Sequence, residues 1–240
     1  VHGFIYARGE RLSKSLGNLV DPIETAAQFG ADAVRFYLID AIPTGRDGEF
    51  TLEQFVEHVN THLANKLGNL ASRTVTLVHK YFEGRCPAEW APEVFADLAA
   101  REALEAVIST ATVTATEAPK AYDELRLNEA LEHVWNVVER ANEFTDRARP
   151  WESGKDPARR AELGTTLSAL LETLRLIAIW AWPVGPAKCE QLWTLLGLSG
   201  TPGDQRGATA QPRYGVTEQR AIGASQILFP RIDLERADQA

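Results

Sequence analysis

The residues best equipped for chemistry stand at the start of the chain. In the run "ARGERLSKSLGN", Arg8, Arg11 and Lys14 alternate with Ser13, Ser15 and Gly17. Lysine and arginine supply charge and forked donors, and the hydroxyls and glycine backbone add N–H and O–H groups at close approach. Phosphoryl and pyrophosphate chemistry is catalysed mostly by such positioning and charge stabilisation. The run can therefore clamp an anion, although its composition also suits a plain basic surface loop.

A second set of residues is spread further along. Asn69 and Arg73 lie four apart in a helical pattern, so they face one way. An amide and a guanidinium can both hydrogen-bond base edges, and guanidinium planes stack on bases. The same pair would equally suit an exposed polar stripe. Pro150 and Trp151 sit at a helix break, where an indole is either a cap on the helix ends or a stacking platform for an unstacked base. Nearby, Arg140, Arg147, Arg149, Lys155, Arg159 and Arg160 outnumber Glu143, Asp146, Glu152 and Asp156, giving the local cationic patch that phosphate contact requires. Asn142 and Arg147 are second-rank candidates. His58 and His62 have a metal-ligand spacing, but no acidic or cysteine third ligand is evident in the sequence, so no metal is expected here.

The elements that must position these groups read as helices. Asp21 is a good N-cap, Pro22 suits the first helical position, and Glu24 stands where a capping box places its acid; Gly30 fits the stop. "ADAVRFYLI" then predicts a second short helix packed through Val34, Tyr37 and Leu38. Thr51 and Gln54 repeat the capping pattern ahead of Phe55, Val59, Leu63, Leu67 and Leu70, whose steps predict one long amphipathic helix. A further helix runs from about Val94 until Pro119 interrupts, and another carries Leu127, Leu131, Val134, Val138, Ala141 and Phe144 on one face. Helices starting at Pro157 and Pro186 complete the set. From Gly200 to about Gly223 the chain is rich in Gly, Pro, Thr and Gln, as an irregular strap would be. Strand signals are nearly absent.

The whole composition narrows the class. Of 240 residues 45% are hydrophobic and 24% charged, ordinary values for a globular protein. A net charge of −8 argues against a general nucleic-acid coat while leaving room for a local basic site. The densest apolar stretch, "LIAIWAWPV", is cut by Pro183 and too short to span a bilayer. Cys86 and Cys189 are too far apart for a ligand motif and read as reduced thiols. A chain that begins at Val1 and holds no methionine is expected to be a piece of a longer protein.

The run "RLSKSLGNLVDPIETAAQFGADAVRFYL" resembles the signature loop and following helices of class I aminoacyl-tRNA synthetases, Arg11-Leu12-Ser13-Lys14-Ser15 standing where the family has Lys-Met-Ser-Lys-Ser. "IPTGRDGEFT", "NTHLANKLGNLASRT", "ANEFTDRARPW" and "ILFPRID" are similar to the methionyl branch, so the likeness runs from about Val1 to Asp233. Leucyl, valyl, isoleucyl and cysteinyl enzymes match less well. The resemblance implies a mainly α fold: a short helical stem-contact module with the signature loop (1–50), an antiparallel helical bundle that binds the anticodon (51–198), and a C-terminal strap packing back on the body (199–240). It implies ATP, with its Mg2+, as the bound nucleotide. Lys14 would be the catalytic, ATP-contacting cation on the pyrophosphate side, with Arg11, Ser13 and Ser15 beside it. Asn69, Arg73, Pro150 and Trp151 would bind the anticodon of tRNA(Met). The other partner would be an upstream Rossmann-type catalytic half, without which this segment makes no adenylate; a cytoplasmic setting, no DNA and no membrane are expected. Two further readings stay open: a non-catalytic tRNA-binding module, and a helical interaction protein whose basic patch meets an acidic partner.

Overall fold

Asp21 begins the helical part as its side chain dictates. Its carboxylate accepts from the backbone N–H groups of Ile23 (2.7 Å) and Glu24 (3.3 Å), starting α1 (Pro22–Phe29). Gly30 closes that helix at φ +90° and opens α2 (Ala31–Asp40), a bend that a side chain would resist. The computed structural model describes residues 3–11, 21–216 and 218–234. Helix α2 buries Ala33, Val34, Phe36 and Tyr37; Leu38, expected to pack, is instead exposed, and Phe36 takes the inward position.

A small sheet precedes and follows this pair. Strand β1 (Ile5–Ala7) pairs antiparallel with β2 (Glu10–Arg11) and parallel with β3 (Gly48–Glu49), in the order β2-β1-β3. Strands of two or three residues are too short to show an alternating pattern, which is why the sequence hid them.

Thr51 accepts from Gln54 N–H at 3.2 Å and starts α3 (Leu52–Val59). The single long helix expected from here to Phe82 is one rod in three parts: α3, a nine-residue π-wound segment (Asn60–Gly68), and α4 (Asn69–Phe82). Phe55, Val59, Leu63, Leu67 and Leu70 are all buried along it, as their spacing demands. Wide π turns are uncommon and recur at functional sites.

Asp97 caps α5 (Leu98–Asp123), which runs straight through Pro119 where a break was expected. Only about one turn follows the proline, so the lost N–H costs the helix little of its length. Helix α6 (Leu127–Ala148) packs along α5 with Ala111, Ala118 and Ala121 fully buried; side chains this small let the two rods approach closely. After α7 (Pro150–Ser153) comes α8 (Arg160–Trp180), buried on nearly all sides, then α9 (Pro186–Leu195). The helical stretch Pro157–Trp180 is long and apolar enough to cross a bilayer by composition, but 89% of its apolar window is inside the molecule, so it is the central core helix. One hydrophobic cluster extends from Ala33 on α2 to Leu228 near the end of the chain. Cys86 and Cys189 are buried within it as free thiols, and burial pushes both up in pKa.

The tail is the irregular strap the composition suggested, and it is tied down by backbone. Ile222 N–H donates to Gly84 O (2.8 Å), Gly223 N–H to Leu195 O (2.8 Å) and Cys86 N–H to Arg220 O (2.9 Å). Near its end, Asn60 imitates a strand: its Nδ2 donates to Ile232 O (2.9 Å) and its Oδ1 accepts from Ile232 N–H (2.8 Å).

Candidate nucleic-acid interface

Arg149 sits in the left-handed region at φ 45°, ending α6 and turning the chain into α7. The next two residues are thereby aimed back along the rod that carries α4. Pro150 is buried and fixes the turn, and Trp151 stands half-buried beside it. The Arg73 guanidinium lies over the Trp151 ring, with Cζ 5.0 Å from its centroid, and its Nη2 donates to Asp146 Oδ1 at 3.4 Å. A cation over an indole at such a partly exposed site contributes about 0.5–1 kcal/mol. One turn before Arg73, Asn69 is exposed at the first position of α4. The sequence-predicted Asn69, Arg73, Pro150 and Trp151 thus gather in one region, although Asn69 and Trp151 are 82 positions apart in the chain.

The strap supplies a wall that helical spacing could not reveal. An open groove of about 580 Å³ beside Asn69 is lined by Asn65, Ser72, Ile227, Phe229 and Arg231 among others. Ile227 is 77% exposed there. Gly68 brings the rod close to Phe229, whose Cβ lies 3.6 Å from where a side chain at position 68 would start. The motif "ILFPRID" was visible in the sequence, but nothing in its spacing says that Asn60 would pin it alongside Asn69.

The cationic patch is quieter than a charge count suggests. Arg140 pairs with Glu143, Arg149 with Glu152, Arg159 with Glu162 and Arg160 with Glu89. Among the described residues Arg147 and Lys155 form no ion pair, and both are exposed. The exposed pairs Arg140–Glu143 and Arg149–Glu152 are worth about 0–1 kcal/mol each, so an incoming phosphate could take over a partner's place there, whereas Glu162 is nearly buried. Asn142 is committed elsewhere: its Nδ2 donates to Val138 O (2.9 Å) and Lys66 O (3.4 Å), joining α6 to the π segment.

Leu12, Ser13, Lys14 and Ser15 lie outside the described residues, and of Arg11 only the backbone position in β2 is described. The hairpin leading into them turns at Arg8 and Gly9, both at positive φ (53° and 78°). Arg8 ties that turn to the start of α3 through Glu53 at 3.2 Å. The histidines hold a surprise. Asp40, at the end of α2, lies 2.7 Å from His58 Nε2, so the acidic third group missing from the sequence pattern is supplied by the fold.

Comparison with known proteins bears on all of this. The model of a family described as tRNA synthetases class I (M) matches residues 1–75. The methionine–tRNA ligase of Caldanaerobacter subterraneus subsp. tengcongensis is 36% identical over 236 residues, covering 98% of this chain and 35% of that protein. The methionine–tRNA ligase of Bacillus subtilis is 33% identical over 238 residues, covering 98% and 34%. Among solved structures, Mycobacterium tuberculosis methionyl-tRNA synthetase in complex with methionyl-adenylate superposes with a TM-score of 0.84 at 35% identity, covering 96% of this chain and 43% of that one. The chain spans about a third of the length of the curated relatives it matches.

Proposed function

Because the chain belongs with the methionyl-tRNA synthetases, which it matches over 98% of its own length, we propose that it supplies the pyrophosphate-stabilising loop and the anticodon-reading surface of a methionine–tRNA ligase. The whole enzyme would join methionine to ATP, releasing pyrophosphate, and pass the methionyl group from the adenylate to tRNA(Met) in the cytoplasm. Three functional units divide the work: the loop and stem-contact helices (1–50), an antiparallel bundle for the anticodon (51–198), and the strap that backs it (199–240). An upstream Rossmann-type half would hold ATP, its Mg2+ and methionine.

The observation that carries the reading is the Arg73 guanidinium over Trp151, one turn from Asn69. Bases of an anticodon loop splay apart when gripped, and each needs a flat apolar partner and an edge-reading donor or acceptor. Trp151 offers the plane, Asn69 and Arg73 the edge contacts, and Pro150 holds the indole in place. At the loop, Lys14 opposes the charge that builds on the leaving pyrophosphate, with Arg11, Ser13 and Ser15 adding donors. Such charge is largest in the transition state, so Lys14 acts on rate more than on ATP affinity.

Two measurements test this. Filter binding of tRNA(Met) should weaken about ten- to a hundredfold in Trp151→Ala, the loss of one stacked base at about 1–3 kcal/mol. Affinity should also fall steeply with added salt. Mixing the chain with a separately produced upstream half should restore ATP–pyrophosphate exchange, which Lys14→Ala abolishes. Binding without any restored exchange would favour a non-catalytic tRNA-binding module. If Trp151→Ala and Asn69→Ala both bind as wild type, the anticodon assignment is wrong.

A further inference from the structure

His58 is the penultimate residue of α3 and His62 lies four residues on, inside the π segment, so their rings lie on one side of the rod with centroids 4.4 Å apart. Asp40 reaches them from a different element, the last residue of α2. One donor atom from each of the three lies within 4.8 Å of the other two, and the His58–Asp40 pair is already at 2.7 Å. Around a tetrahedral Zn2+ with bonds of about 2.0–2.1 Å, ligand atoms stand about 3.3 Å apart. The cluster brackets that spacing, and side-chain torsions alone can close the difference.

The surroundings suit a bound cation. All three residues are half-buried, and the ring of Phe36 lies beside the two histidines, its centroid 5.5 Å from His58 and 6.2 Å from His62. Nδ1 of His62 is buried and has no hydrogen-bond partner among the described residues, an unmet requirement in an otherwise satisfied neighbourhood. The nearest competing charge, Lys66, is held by Glu139 at 2.6 Å. Two imidazoles and one carboxylate are a donor set for zinc or its neighbours cobalt and nickel, and not for calcium or magnesium.

We propose that Asp40, His58 and His62 bind one divalent transition-metal ion, zinc by the nature of its donors, with water completing the shell. The ion joins the end of α2 to the rod whose next segment carries Asn69 and Arg73. It thereby fixes the stem-contact helices against the proposed anticodon surface.

The test is a metal titration of the full chain after dialysis against a chelator. Wild type should take up one Co2+ per chain, with the visible absorption of a tetrahedral centre, and Zn2+ should displace it. His62→Gln and Asp40→Asn should each weaken binding by more than about a hundredfold, beyond the loss caused by changing an outer-shell partner. His133→Gln, remote from the cluster, should bind as wild type. Far-ultraviolet circular dichroism of the metal-free variants establishes that each is folded, and either folded variant decides the matter if the other is not. Failure of the wild type to bind one equivalent at stoichiometric concentrations overturns the proposal. So does binding that survives either folded substitution.

Discussion

Arg175 is 1% exposed in the middle of the core helix α8, and its fate decides whether the strap holds. Its Nε and Nη2 fork onto the Glu172 carboxylate, both at 2.7 Å. Nη1 donates to Thr209 O at 2.7 Å and Nη2 to Gln211 O at 2.8 Å, so a single guanidinium binds two strap carbonyls to the core. Glu172 Oε1 accepts from Arg213 N–H at 2.7 Å, adding a third tie. Arg175→Ala would leave a nearly buried carboxylate with one N–H for company and two carbonyls with none. Breaking a buried pair by deleting one partner costs about 3–5 kcal/mol. For a chain of this size the melting temperature moves about 2–4 °C per kcal/mol, so a drop on the order of 10 °C is expected. Arg175→Lys keeps the charge but loses the fork and should fall between the two. Thermal melts followed by circular dichroism measure both, and limited proteolysis should cut the variant first near Thr209 to Gln211. A melt of Arg175→Ala within about 2 °C of wild type, at most about 1 kcal/mol by the same scale, would refute the reasoning.

Two further outcomes are expected. Asn60→Ala removes both bonds to Ile232, worth about 1 kcal/mol each; hydrogen exchange at the Ile232 amide should speed up while that of α8 stays slow. Burial pushes the phenols of Tyr37, Tyr122 and Tyr214 up in pKa. Their protonated forms stabilise the fold fully below the ordinary tyrosine value of 10.0, and that stability is lost as pH rises above it. A spectrophotometric titration should therefore show these three ionising together with unfolding, and Tyr122→Phe should shift the unfolding to higher pH.

How far the sequence could be read depends on the range of the forces involved. Caps are local: Asp21 with Pro22, Thr51 with Gln54 and Asp156 with Pro157 each start a helix where expected, because one side chain meets a backbone N–H two or three residues on. Burial of Phe55, Leu63, Val134 and Phe144 followed from spacing for the same reason. Failures occur where distant partners decide. Leu38 faces solvent because Phe36 claims the space between His58 and Trp135. Asp40 meets His58 only because α2 folds onto α3, and Arg231 reaches the groove only because Asn60 holds Ile232. Pro150 announced the helix break after Arg149, but the left-handed turn there, which sets Trp151 against Arg73, is decided by how α6 and α4 pack and carries no sequence sign of its own. The π winding did leave a trace. Phe55, Val59, Leu63 and Leu67 step by four without a compensating three, which in ordinary winding at about 100° per residue would drift some 40° each time off the buried face.

That widened stretch makes the rod a timing device as well as a support. Shortening residues 60–68 by one with their winding unchanged would swivel everything downstream about the axis by the angle of one residue, about 100° in an ordinary α turn and somewhat less in this wider one. Leu70 and Val75 would then compete for solvent while Asn69 and Arg73 turned inward, leaving the indole at 151 without its neighbour. Homologues that differ in length at this point should thus change in step at positions 69, 73 and 151, and a chain that keeps all three should keep the nine-residue count.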